Sequence, residues 1–193
     1  MPALSRSLPL IIVACGALLS SAALAAETVN VPDFRSIELR GGGHLSLRPG
    51  SEQRVTILNG STHFTQFHVR HDGQLVIDAC ANDCPLHYDL EIEVVTPEIK
   101  GVALSGGGEI VAEHGFPHQH ELGVAIQGGG EIDVRAIPAS SADAAVDGGG
   151  DIRLRAERAL QAAVNGGGSI SYWGDPSVTS AVNGGGSVNR GGG

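Results

Sequence analysis

Three histidines are clustered in one short segment of this chain, residues 114–120. One residue separates His118 from His120, so an extended backbone puts both side chains on the same side. A turn would bring His114 within reach of them. Imidazole nitrogens bind zinc or copper. However, Pro117 interrupts the segment and no cysteine supports it, which favours a solvated loop. We therefore predict a loop that bulges from the fold, and we treat the three histidines only as candidate metal ligands.

Three acidic residues occupy the same place in a repeated phrase of the sequence. Glu109, Glu131 and Asp151 each follow three glycines and precede an isoleucine. Stacked repeats would bring these like charges together, which is unfavourable unless solvent screens them or a cation bridges them. Several carboxylate oxygens in a flexible arrangement suit Ca²⁺. Solvated carboxylates are the simpler interpretation, so the three residues are candidate ligands only, and no cofactor is predicted.

A group of alternating charged residues could support catalysis on an acidic polysaccharide: Asp133, Arg135, Arg153 and Arg155. Spacing ties no second catalytic pair to them. The chain also lacks the Gly-x-Ser-x-Gly and His-Glu-x-x-His motifs, and no Lys-Ser or Lys-Thr follows its glycine runs as in a phosphate loop. We therefore predict no catalytic residue and no enzyme. A polysaccharide lyase or hydrolase is the alternative, and it requires Asp133 close to Arg153 or Arg155.

Seven Gly-Gly-Gly runs divide the chain, and five of them share one phrase. In that phrase an aliphatic and a polar residue precede the glycines, and a polar and an aliphatic residue follow. The five runs begin at Gly106, Gly128, Gly148, Gly166 and Gly184. Repetition at about 20 residues is typical of a solenoid. The repeats from 101 to 188 therefore predict an all-β, single-domain, β-helix-like solenoid with glycine corners. Its handedness does not follow from the sequence, although a right-handed coil is favoured.

The aliphatic residues on either side of each glycine run are predicted to form two interior columns. One column is Leu104, Ile126, Val146, Val164 and Val182, and the other is Ile110, Ile132, Ile152, Ile170 and Val188. A single repeat cannot bury these residues alone, so stacking must supply the core. The ends of such a stack need caps or a second copy, so we expect self-association through the ends.

The N-terminal half shows a different pattern, in which apolar residues alternate with polar ones from Val29 to Thr96. Alternation of this kind predicts half-buried strands. We interpret Gly41-Gly42-Gly43, Pro49-Gly50 and Asn59-Gly60 as turns between these strands.

The N-terminus has the features of an export signal. An apolar run from Leu8 to Leu19 is too short to span a membrane, and Ala23-Leu24-Ala25 is a small-x-small cleavage site. We predict a signal peptide at 1–25 and a mature domain at 26–193, without a transmembrane segment. Lipidation at Cys15, which would make an outer-membrane lipoprotein, is the less favoured alternative.

Two cysteines remain after export, separated by three residues. In an oxidising compartment Cys80 and Cys84 most simply form a local disulfide that clamps a turn. The formal net charge of −9 disfavours nucleic acid as a partner.

The residues from about Asp33 to Val188 resemble the putative auto-transporter adhesin, head GIN domain family of bacterial exported proteins. The resemblance rests on residues 34–39, 72–77 and 96–99 and on the five phrases in phase. It implies a β-helix-like solenoid with an adhesion or surface role and no established catalytic residues. No translocator barrel follows Val188 in this sequence, so we do not expect self-secretion.

The combined expectation is an exported, non-catalytic protein of the periplasm or cell surface. It would bind or support envelope components through its long flat faces. Envelope glycan or a surface protein is the expected partner.

Overall fold

The computed structural model describes residues 26–192, so the expected signal peptide and Cys15 lie outside the described residues. Within 26–192 the chain forms fifteen strands and no helix, which confirms the all-β prediction. The strands are β1 (Glu27–Val29), β2 (Ser36–Gly41), β3 (His44–Pro49), β4 (Arg54–Asn59), β5 (Gln66–Val69), β6 (Gln74–Asp78), β7 (Glu91–Thr96), β8 (Gly101–Gly106), β9 (Glu109–Ala112), β10 (Gln119–Gly128), β11 (Glu131–Gly148), β12 (Asp151–Gly166), β13 (Ser169–Trp173), β14 (Ser177–Gly184) and β15 (Ser187–Arg190). In this part of the chain, a helix able to cross a membrane is absent.

Strands that precede successive glycine runs pair in parallel, and so do the strands that follow them. The first stack contains β8, β10, the C-terminal parts of β11 and β12, and β14. The second contains β9, the N-terminal parts of β11 and β12, β13 and β15. All fifteen strands belong to one hydrogen-bonded sheet, because β11 and β12 each continue from one stack into the other.

The two predicted aliphatic columns are present. In the first stack Ile126 is the register partner of both Leu104 and Val146, and Val164 lies between Val146 and Val182. The column is buried as far as Val164, whereas Val182 is 43% exposed. The second column is likewise buried as far as Ile170. Both columns lose their cover at β14 and β15, on which no further strand of residues 26–192 is stacked.

Glycine is required at the corners because neighbouring backbones approach closely there. Gly128 has a φ of +125°, and a Cβ at this position would lie 2.5 Å from the carbonyl oxygen of Gly106. The same oxygen accepts a hydrogen bond of 3.0 Å from the amide of Gly129. A side chain would therefore separate the strands that the corner holds together.

The glycine run at 41–43 is the turn between β2 and β3, as expected, and it is also a sixth corner of the stack. Leu39 pairs in register with Leu104, and Leu45 with Ile110. Residues 39–45 in fact carry the full phrase, aliphatic-polar-Gly-Gly-Gly-polar-aliphatic. Its isolation from the other five copies in the sequence concealed its role.

Order along the stack differs from order along the chain at the N-terminal end. β6 pairs in parallel with β2, and β7 pairs in parallel with β3. β6 and β7 therefore form a layer beyond the one that contains the glycine corner at 41–43, although they come later in the chain. Antiparallel strands then cover this end, with β5 on β6, β4 on β7 and β1 on β4. This end is capped by the chain itself.

The disulfide between Cys80 and Cys84 is present, as predicted, in the loop that joins β6 to β7. This loop takes the place of a glycine corner in the outermost layer. Its residue Ala79 donates a backbone hydrogen bond of 2.9 Å to the carbonyl oxygen of Arg40.

Candidate binding faces

A shallow groove of about 700 Å³ crosses the outer face of the first strand stack. Its floor is a column of alanines in mutual register: Ala103, Ala125, Ala145, Ala163 and Ala181. Alternation explains their position, because each precedes an aliphatic residue of the interior column and so points away from the core. Strands in a sheet are about 4.8 Å apart, so the floor is a regular apolar strip five strands wide.

Two columns of residues, most of them polar, form the rims of this groove. One rim is Gly101, Gly123, Asp143, Gln161 and Thr179, and the other is Ser105, Gln127, Asp147, Asn165 and Asn183. Within the second rim, the Asn183 amide donates a hydrogen bond of 3.1 Å to the side-chain oxygen of Asn165. The groove thus offers an apolar floor with hydrogen-bonding side chains along the whole of the second rim and at three of the five positions of the first.

A charged cluster around Glu38 ends the alanine column, since Glu38 is the register partner of Ala103. The Glu38 carboxylate accepts hydrogen bonds of 2.7 and 3.0 Å from Arg40 and one of 3.2 Å from Ser105. Burial raises the pKa of Glu38, but these bonds and the charges of Arg40 and Arg70 outweigh it, so the pKa lies below its ordinary value. Glu38 is therefore ionised at neutral pH.

The residues considered for catalysis lie in the second strand stack. Asp133 and Arg153 are register partners, as the enzyme alternative requires. However, the Asp133 carboxylate is held by Arg135, whose Nε and Nη2 donate to it at 2.9 and 2.6 Å. Burial raises the pKa of Asp133, while the hydrogen bonds from Arg135 and the charges of Arg135 and Arg153 lower it more. A carboxylate bound in this way is poorly suited to proton transfer.

The acidic column aligns as predicted, with Glu131 in register with both Glu109 and Asp151. Each carboxylate has a different neighbour. Glu109 contacts His44 at 3.1 Å, Glu131 is paired with Arg153, and Asp151 accepts a hydrogen bond from Ser169. These contacts help to offset the like charges.

The predicted loop spans the end of β9 and the start of β10, and Phe116 anchors it in the core with 6% of its surface exposed. His114, His118 and His120 are all exposed. His118 lies 3.1 Å from Glu157, and only His118 and His120 of the three line a polar cavity of about 1280 Å³. Across residues 26–192, no group of three or more His, Cys, Asp or Glu side chains is arranged to hold a metal ion.

Trp173, the only tryptophan, packs beside the last repeat. Its indole nitrogen donates a hydrogen bond of 3.0 Å to the carbonyl oxygen of Gly192. The Arg135 guanidinium lies 4.7 Å from its ring centroid, which is a cation–π contact. These contacts cover much of the ring.

The alanine floor was missed in the sequence, although a signal for it exists. Each of the five phrases has alanine three positions before its first glycine. The larger aliphatic neighbours dominate the pattern of each phrase, and an alanine that alternates with them resembles an ordinary small surface residue.

A family model matches residues 33–120 and 118–176, in agreement with the corners and columns described above. The chain belongs to the putative auto-transporter adhesin, head GIN domain family. No protein of curated function matches it in sequence.

Several solved structures are similar to this member of the head GIN domain family. A putative adhesin from Bacteroides fragilis is 18% identical, with a TM-score of 0.56, and the match covers 86% of this chain and 96% of that one. A putative cell adhesion protein from Clostridium sporogenes is 13% identical, with a TM-score of 0.44 and coverage of 86% and 98%. A putative lipid binding protein from Parabacteroides distasonis is 17% identical, with a TM-score of 0.39 and coverage of 87% and 96%. The first of these shows a shared fold.

Proposed function

We propose that this head GIN domain protein is an exported, non-catalytic binding module that acts in adhesion at the bacterial envelope. Its ligand is an extended polymer held in the alanine groove, and a linear envelope glycan fits best. The faces of sugar rings are apolar and their edges carry hydroxyl groups. Such a chain matches an apolar floor between rows of amide and hydroxyl side chains.

The regular floor of the groove is the observation that carries this proposal. Five alanines in register, four of them exposed and Ala103 half-buried, leave a flat strip without bulky side chains, and mostly polar residues flank it on both sides. A compact small molecule would contact only part of such a strip, whereas an extended chain can follow its whole length.

A binding role is also supported by the charged residues of the opposite stack. Asp133 and Arg135 satisfy each other, and the lowered pKa of Asp133 removes it as a general acid at neutral pH. The polysaccharide lyase or hydrolase therefore remains only an alternative outcome of the test below.

The proposal includes the architecture and the cellular location. We interpret the parallel stacks and glycine corners as turns of a β-solenoid, which presents long flat faces. Export follows from the expected signal peptide at 1–25, and the family's adhesin description agrees with a position in the periplasm or at the cell surface.

A glycan array combined with a polysaccharide degradation screen tests this function. The protein should bind one or more linear glycans without shortening them. Ala145→Arg, which inserts a long charged side chain into the middle of the floor, should weaken binding at least about tenfold, equivalent to ~1.4 kcal/mol.

Ala81→Arg is the matched control, because Ala81 is also exposed but lies in the disulfide loop. It should bind like the unmodified protein. Equal loss of binding in both variants would exclude the groove as the site. Glycan cleavage that disappears in Asp133→Ala would replace the binding proposal with the enzyme alternative, and binding to surface protein alone would change the ligand class.

A further inference from the structure

The two ends of the strand stack differ in how they meet solvent. At the N-terminal end Leu75 and Ile77 of β6 are fully buried, because antiparallel β5 lies over them. The outermost strands there, β1 and β5, are short and include Glu27 and His68. Short edges with charged groups resist pairing with another chain.

The C-terminal end has none of this protection. Within residues 26–192, β14 pairs only with β12, and all eight of its residues are exposed. Val178 and Val182 continue the buried columns of Leu160 and Val164, yet they are 37% and 43% exposed. The backbone groups along the outer edge of β14 are therefore available for pairing.

This edge also lacks the charge that would keep copies of an acidic protein apart. The sequence of β14, SVTSAVNG, contains no ionisable side chain. In the adjacent β15 only Arg190 is charged, and it lies 3.4 Å from Asp175 of its own chain. Two identical β14 edges can thus approach without like charges on the paired strands themselves.

We propose that β14 pairs antiparallel with β14 of a second copy, which makes a closed end-to-end homodimer. A two-fold axis through Ser180 pairs Ser180 with its own counterpart. It also places Val178 opposite Val182 of the second copy, and the same contact occurs again by symmetry. The two half-exposed valines of each chain then cover those of the other, and the interior column continues across the interface.

The assembly closes at two copies, because both open ends are buried in the interface and the capped ends face outwards.

The affinity of this dimer should be modest. Residues 177–190 are fewer than the ~20–30 residues that each partner contributes to a standard interface, so we expect a dimer that dissociates on dilution. The pairing joins two grooves end to end, but it does not depend on the glycan proposal.

Sedimentation velocity across a wide protein concentration range tests this inference without any ligand. We expect a monomer–dimer equilibrium with no larger species. Val178→Lys places like charges on both edges and should weaken dimerisation at least about tenfold. Leu58→Lys in β4 is the matched control, since Leu58 is also 37% exposed but lies at the capped end, and it should dimerise normally.

A strict monomer at every concentration would overturn the proposal, as would equal dimerisation of the two lysine variants. Open-ended oligomers would overturn closure at two copies.

A second pair of variants tests the register even if Val178→Lys fails to fold. Ser180→Cys should form an intermolecular disulfide on mild oxidation, because directly opposed Cβ atoms in an antiparallel pair are about 4.5–5.5 Å apart. Ser177→Cys lies opposite the partner's Asn183, far from its own counterpart, and should not cross-link. Cross-linking of Ser177→Cys but not Ser180→Cys would refute pairing about Ser180.

Discussion

Replacing Gly128 with alanine should destabilise the protein strongly, whereas the same change at the adjacent Gly129 should not. Gly128 has a φ of +125°, a conformation that costs an alanine about 1–2 kcal/mol. Its new Cβ would also lie 2.5 Å from the Gly106 carbonyl oxygen and 3.1 Å from the Gly106 carbonyl carbon. These are backbone atoms of the neighbouring strand, which cannot rotate away.

Relief of that clash requires the two corners to separate. Separation would weaken the 3.0 Å hydrogen bond from the Gly129 amide to the Gly106 oxygen, at a cost of about 1 kcal/mol, and overpacking adds about 1–3 kcal/mol. Together with the backbone strain, Gly128→Ala should lower the free energy of unfolding by roughly 3–6 kcal/mol. At Gly129 a new Cβ meets no atom within 4 Å, so Gly129→Ala should remain within about 1 kcal/mol of the unmodified protein.

Urea unfolding followed by far-UV circular dichroism measures both free energies. With m-values of about 1–3 kcal/mol/M, the unfolding midpoints of the two variants should differ by about 1 M or more. Midpoints that agree would refute the claim that close backbone approach makes glycine necessary at the corner. A large and equal loss in both variants would show instead that the whole run must be flexible.

Two further predictions concern Glu38 and the disulfide. Since the pKa of Glu38 is lowered in the folded protein, its contribution to stability is present above its ordinary value of 4.5 and is lost as pH falls through the folded pKa. Glu38→Gln should therefore lower the Tm at neutral pH, which corresponds to a loss of about 1–3 kcal/mol in stability. The difference in Tm from the unmodified protein should shrink as the pH falls below 4.5 and through the folded pKa of Glu38. An equal difference at neutral and acidic pH would contradict this linkage. Removing the disulfide with Cys80→Ser and Cys84→Ser should lower the free energy of unfolding, measured in urea, by about 2 kcal/mol or less. The reason is that so short a loop restricts the unfolded chain only slightly. An unfolded double variant would contradict this and would show that the disulfide loop is essential to the cap.

The glycine corners and the aliphatic columns could be recognised without coordinates because they depend on local spacing. Each phrase places one aliphatic residue before the run and one after it, so five copies in phase predict which residues share a column. Val146 and Val164 lie in register as expected. The Cys80–Cys84 disulfide is equally local, since three intervening residues leave the two sulfurs within reach.

Long-range pairing decided the remaining features. The corner at 41–43 lies against that at 106–108, and β6 and β7 are stacked outside it, because antiparallel strands take the intervening chain away and back. The spacing of apolar residues within one strand does not determine which edge of the sheet that strand will join. The same holds for Asp133 and its register partner Arg153, for the groove over the alanines, and for the open edge at β14. Each depends on which backbone edges and side chains meet in space, and that is determined only when the whole sheet has formed.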